Sequence, residues 1–178
     1  MKDRITINDL KNSIRNIPDF PIKGIMFKDI TTALKDPKML KFIVDNFYEH
    51  YKDKNITKVA GIEARGFIFG SVLAYRLNAG FVPVRKSGKL PSEKFSVSYE
   101  LEYGTNTIEI HSDALFSDDN VLIHDDLLAT GGTVKAAAEL VTKFNVKSIS
   151  FCFLCELTFL NGRESIKTNN EIFSLVKF

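Results

Sequence analysis

A chain of 178 residues, 44% apolar and 26% charged, is long enough to bury the core of one domain. A formal net charge of only +2 removes any whole-chain electrostatic case for a nucleic-acid partner. The opening Met1-Lys2-Asp3-Arg4 has no apolar run behind it, and the apolar stretch from Gly66 to Leu77 is interrupted by Arg76. Neither a secretory signal nor a membrane span is therefore expected, and the cytoplasm is the default location.

No repeat, low-complexity tract or Pro/Gly/Ser linker divides the sequence, so a single domain over 1–178 is expected. In chain order, Leu10, Ile14 and Ile17 share one face of a short helix from about Ile7 to Ile17. Pro18-Asp19-Phe20-Pro21 connects it onward, and Asp36-Pro37 opens a second helix with a capping acid and a first-turn proline. Strand-helix alternation follows: strand Lys58 to Ile62, helix Gly66 to Leu77, strand Phe81 to Val84. Segments Phe95 to Tyr103 and Thr107 to His111 then flank Gly104 as a hairpin. Val121 begins an apolar strand, Thr133 to Phe144 forms a helix, and strands near Ser148 to Cys155 and Glu171 to Phe178 close the chain. Such alternation predicts an α/β fold with a mostly parallel central sheet flanked by helices.

Cys152 and Cys155 are the only cysteines, and their C-x-x-C spacing invites a redox or zinc reading. On a strand, residues three apart point to opposite faces, and no second Cys/His pair completes a tetrahedral site. Both are expected to be core thiols.

The densest chemistry lies in Val121-Leu122-Ile123-His124-Asp125-Asp126-Leu127-Leu128-Ala129-Thr130-Gly131-Gly132-Thr133. An apolar strand runs into two carboxylates, then into a small-residue loop that opens a helix. The first amides of a helix lack intrahelical partners and bind phosphate, with Thr130 and Thr133 able to add hydroxyl donors. The carboxylate pair cannot favour phosphate and so should face sugar hydroxyls or a metal. Phosphate on Ala129 to Thr133 with ribose on Asp125 and Asp126 describes a ribose-5-phosphate cradle. In parallel sheets ligands sit at the carboxyl ends of strands, where this loop lies. A second junction, Gly61-Ile62-Glu63-Ala64-Arg65-Gly66-Phe67, lacks the Lys and Ser/Thr of a P-loop, yet its Arg before a helix is suited to clamping a polyanion.

With those residues in view, the chain resembles the type I phosphoribosyltransferases, which use 5-phosphoribosyl 1-pyrophosphate (PRPP). Arg85-Lys86-Ser87-Gly88-Lys89-Leu90-Pro91 and Leu101-Glu102-Tyr103-Gly104 are similar to elements of the adenine-using branch. The resemblance spans about Phe20 to Arg163. It implies the type I fold with a small hood, formed by about 1–35 and the C-terminal segment, and a mobile catalytic hairpin loop. It further implies transfer of phosphoribose to adenine, giving AMP and pyrophosphate, by a homodimer. Magnesium is implied as a cofactor held mainly by substrate and water. By the same resemblance, Glu63, Ala64 and Arg65 form the pyrophosphate loop, often with a non-proline cis peptide. Arg85 and Lys89 are implied to meet the pyrophosphate as well.

The resemblance also implies that Glu102 is the acid placed over the base with Tyr103 beside it, which makes chemical sense because the incoming base must lose a proton. Met26, Phe27, Lys28, Leu127 and Leu157 are implied adenine contacts. Two departures stand out: relatives more often carry Arg at the position of Lys28, and an aliphatic residue at His124. A phosphoribosyltransferase for guanine, hypoxanthine or xanthine is the nearest rival. A PRPP-sensing DNA-binding regulator would need an added module for which the residues before Asp36 leave no room.

Overall fold

Thr6 begins the first helix with a capping box. Its hydroxyl accepts from the Asp9 amide at 3.2 Å, and the Asp9 carboxylate accepts from the Thr6 amide at 2.8 Å. The helix, α1 (Ile7–Ser13), is shorter than the apolar spacing predicts. Ile14 turns extended and Ile17 falls in a strand, β1 (Arg15–Pro18), which pairs antiparallel with β2 (Met26–Asp29), Ile17 opposite Phe27. The physical reason is Pro18, whose ring disfavours the helical conformation at Ile17. A short helix, α2 (Thr31–Leu34), precedes α3 (Pro37–Tyr51), where the Asp36 carboxylate accepts from the Lys38 amide at 2.8 Å.

The structure is a computed structural model that describes residues 5–100, 105–166 and 170–178. It divides into two compact units, 1–46 and 47–178, with the boundary inside α3. The first holds the elements just given up to Asn46.

The second unit is built on β3 (Lys58–Ile62), α4 (Gly66–Arg76), β4 (Gly80–Lys86), β5 (Lys94–Glu100) and β6 (Thr105–His111). These are followed by β7 (Asn120–Leu128), α5 (Gly132–Thr142), β8 (Ser148–Glu156), α6 (Gly162–Ile166) and β9 (Ile172–Lys177). The sheet order is β5-β6-β4-β3-β7-β8-β9. Pairings across β4-β3-β7-β8-β9 are all parallel, and the β5-β6 hairpin adds an antiparallel edge. The segment 101–104, including Glu102 and Tyr103, lies outside the described residues.

Helix α4 packs on β3, β4 and β7, and α5 on β5, β6 and β7. Covered strands read as near-continuous apolar runs, and β7 and β8 are buried along most of their length. The core gathers Ile62, Val84, Ile123, Leu140, Phe151 and Phe153. Cys152 and Cys155 are both buried in β8, in keeping with the core-thiol reading. No helix among the described residues is long and apolar enough to cross a membrane.

Candidate active site

Strand β7 runs further than its apolar stretch. Asp125 and Asp126 sit inside it rather than after it, because Asp125 and Leu127 pair with Phe153 and Cys155 of β8. The turn that follows leads into α5. Gly131 caps that helix in the left-handed region at φ 84°, which favours glycine. A side chain there would also collide with the C-terminal segment, its Cβ lying 2.0 Å from Ser165 Oγ and 2.5 Å from the Gly162 carbonyl oxygen. Gly162 in turn approaches Ala129 so closely that a Cβ would stand 2.2 Å from the Ala129 carbonyl oxygen. Ser165 donates its hydroxyl to the Thr130 carbonyl at 2.8 Å. Gly162 and Ser165 therefore buttress the turn from behind, a role that no spacing in the sequence signals.

On the open side is a small recess lined by Asp125, Leu127 and residues 129–134. Gly131 supplies no side-chain cap, so the first amides of α5 keep the unpaired character of a helix start. Gly132 has ample room around it, and the Thr133 hydroxyl donates to Tyr99 Oη at 3.1 Å. Tyr99 belongs to β5, two residues before the undescribed segment, so the turn and the hairpin are joined by this hydrogen bond.

Gly66 brings the second junction to the same strand end. A Cβ at Gly66 would lie 2.8 Å from the His124 carbonyl oxygen, so only glycine lets α4 start against β7. Arg65, the N-cap of α4, is thereby placed with Nε 3.1 Å from Asp126 Oδ2. The Glu63–Ala64 peptide is cis. Burial pushes Asp125 well above the ordinary carboxylate range, and the neighbouring Asp126 charge adds to it. Burial also raises Asp126, against the pull of Arg65. Of the two, Asp125 is the one that holds a proton to higher pH, since Asp126 has the guanidinium beside it.

The basic loop after β4 is tied to two carboxylates. Glu63 accepts from Lys89 Nζ at 2.5 Å, from the Lys86 amide at 3.1 Å and from Arg85 Nε at 3.3 Å. Burial alone would raise the Glu63 carboxyl, but these donors outweigh it and hold it at about 2. Glu109 of β6 accepts from the Ser87 hydroxyl at 3.0 Å and the Gly88 amide at 3.1 Å. Burial opposes ionisation there too, yet those two bonds and Lys94 keep this carboxyl below its ordinary value. The sequence reading missed Glu109. An acid at alternate spacing in a strand gives no sign that it faces inward.

At the end of β8, Leu157 is buried and its amide donates to the Leu128 carbonyl at 2.9 Å, so Leu127 and Leu157 share the strand-end edge. Arg163 clamps Glu156 in bidentate fashion, at 2.6 and 2.8 Å, and reaches the Ile172 carbonyl at 2.9 Å. Met26, Phe27 and Lys28 belong to the first unit. There Phe27 meets Phe20 edge-on at 5.1 Å and Lys28 donates to Asn16 at 2.7 Å.

Residues 31–173 match a family model described as the phosphoribosyl transferase domain. The adenine phosphoribosyltransferase of Geotalea uraniireducens is 55% identical over 172 residues, 97% of this chain and 100% of that protein. The adenine phosphoribosyltransferase of Bacteroides thetaiotaomicron is 56% identical over 167 residues, 94% of this chain and 95% of that one. Among solved structures, the adenine phosphoribosyltransferase of Thermoanaerobacter pseudethanolicus aligns with a TM-score of 0.92 at 51% identity, covering 97% of this chain and 100% of its own. The Giardia lamblia APRTase complexed with 9-deazaadenine aligns with a TM-score of 0.93 at 42% identity, covering 98% and 99%. With its parallel sheet, its open turn at the end of β7 and these likenesses over nearly its whole length, the chain belongs to the phosphoribosyl transferase domain family and, within it, to the adenine phosphoribosyltransferases.

Proposed function

We infer that this chain transfers the 5-phosphoribosyl group of PRPP to adenine, forming AMP and pyrophosphate in purine salvage. The observation that carries this reading is the turn at 129–133, which opens α5 onto a recess walled by Asp125. Amides of Ala129 to Thr133, with the Thr130 and Thr133 hydroxyls, suit the 5-phosphate. Asp125 and Asp126 suit the ribose hydroxyls, whose donation favours the ionised carboxylates.

In the reaction the bond from ribose C1 to pyrophosphate breaks and a bond from C1 to a ring nitrogen of adenine forms. Positive charge develops on the ribose and negative charge on the leaving group. Arg65, Arg85 and Lys89 are the cations for that leaving group, on the principle that preorganised charge stabilises where charge develops. Glu102 takes the proton that the base must lose, with Tyr103 beside it. Met26, Phe27, Lys28, Leu127 and Leu157 are the proposed adenine contacts.

Magnesium would be held mainly by substrate oxygens and water, and Asp125 and Asp126 are the hard oxygen donors that the chain itself could offer. When bound, such an ion neutralises charge on the departing pyrophosphate.

A homodimer is supported by an exposed apolar face on α4, where Ile68, Val72 and Tyr75 follow helical spacing. A cytoplasmic location is the default carried over from the sequence, whose opening residues have no apolar run behind them.

Incubation with PRPP, magnesium and each of adenine, hypoxanthine, guanine and xanthine tests the reading. AMP and pyrophosphate should form from adenine in strong preference. Equal or greater turnover with another base would replace the substrate assignment.

A further inference from the structure

Glu63 sits at the centre of the proposed pyrophosphate site, yet a carboxylate is a poor partner for a polyanion. Its side chain is only 9% exposed, while those of Arg85 and Lys89 are 33% and 47% exposed. One carboxylate oxygen takes Lys89, and the other takes Arg85 and the Lys86 amide. Arg85 closes the ring by donating from Nη1 to the Lys89 carbonyl at 3.0 Å. The buried acid thus lies behind two cations whose outer sides face solvent. Nothing else in this cluster needs a negative charge, since the Lys86 amide would be equally satisfied by a neutral acceptor.

We propose that Glu63 is an exchange counter-ion: its carboxylate holds Arg85 and Lys89 in place when the site is empty and yields them to pyrophosphate when it is filled. The proposal rests on reading Arg85 and Lys89 as pyrophosphate ligands. Its physical content is a competition. Two anions attract the same cations and repel each other, so each weakens the other's hold. Glu63 is therefore a positioning residue that also limits the affinity of the site for the product that must leave.

Glu63→Gln separates the two roles. The amide keeps the size of the side chain and a carbonyl acceptor for the Lys86 amide, but removes the charge that competes. The expected result is tighter binding of pyrophosphate, measured by titration calorimetry at fixed magnesium, by about three- to tenfold for the loss of two partly exposed ion pairs. The KM for PRPP should fall in parallel, with AMP affinity unchanged. Glu63→Asp, which keeps the charge but withdraws it by one methylene, should tighten pyrophosphate in the same direction and by less. In a Lys89→Ala background the gain from Glu63→Gln should shrink, because one of the contested cations is gone.

A purely structural role would only weaken binding when disturbed. Unchanged or weaker pyrophosphate affinity in folded Glu63→Gln or Glu63→Asp protein would overturn the proposal. The underlying reading is tested apart from it: Arg85→Ala and Lys89→Ala, each with Glu63 intact, should weaken pyrophosphate. If neither does, the cations are not its ligands and the pyrophosphate assignment itself is wrong, whatever Glu63→Gln shows.

Discussion

His124 stands in the middle of β7, fully buried. Its ring meets Phe47 edge-on at 5.5 Å, and neither ring nitrogen has a hydrogen-bond partner of good geometry among the described residues. Burial drives its pKa down from 6.5 to about 4. The sign of the consequence follows from proton counting. Between those two values the unfolded chain binds a proton that the folded chain refuses, so stability is lost as pH falls from 6.5 towards 4. A displacement of that size corresponds to about 3 kcal/mol at full development, and to roughly 2–3 kcal/mol at pH ~4.5.

His124→Leu keeps a similar volume and removes the titration. Urea unfolding of both chains, followed by far-ultraviolet circular dichroism at pH ~7.5 and ~4.5, reads the effect, because groups common to both chains cancel in the difference. The variant should be at least as stable as the parent near neutrality, since a buried polar ring without a well-formed hydrogen bond is replaced by a hydrocarbon. Its advantage should grow by about 2–3 kcal/mol at the lower pH. An advantage that stays the same at both pH values would refute the reasoning, since it would mean that folding does not hold His124 neutral.

Three further outcomes follow from the site. Thr133→Val removes a hydroxyl from the proposed phosphate turn and should weaken PRPP and AMP together by about ten- to a hundredfold, the worth of one hydrogen bond to a charged group. A loss confined to adenine, in equilibrium binding of the three ligands, would contradict the assignment. Gly131→Ala should destabilise the fold by about 2–5 kcal/mol, from left-handed backbone strain together with overpacking against Ser165 and Gly162. Thermal unfolding reads this, and adding Ser165→Ala should not restore stability, because the Gly162 carbonyl remains 2.5 Å from the new Cβ. Glu102→Gln should lower kcat by about a hundredfold or more while PRPP still binds, as expected for loss of a general base. Unchanged turnover with intact folding would remove Glu102 from the chemistry.

Much of this was legible from the order of residues because it depends on local physics. Strand β3 and helix α4 fall within a residue of where apolar spacing puts them. The Gly-Gly-Thr turn and its helix are written in short-range conformational preferences that need no neighbour to act. Where the reading failed, a neighbour decided. Ile17 has helical spacing after Ile14, but Pro18 and pairing with Phe27 put it in a strand. The aspartates have no strand propensity, yet β8 carries β7 through both of them.

The partners of charge were the least legible part. Glu63 precedes Arg85 by 22 residues and Lys89 by 26, and Arg65 lies far along the chain from Asp126. No periodicity links such positions. The sheet order brings β3, β4 and β7 side by side, and only then do these charges meet.

By itself, then, the sequence determined which chemical groups this protein has and which local shapes they take: a phosphate-ready helix start, a pair of acids and a run of cations. Tertiary structure alone decided which acid neutralises which cation, which side of the turn is buttressed and which stays open. The reason is that hydrogen bonds and ion pairs act over a few ångströms in space, while the chain order constrains that distance only between residues close in sequence.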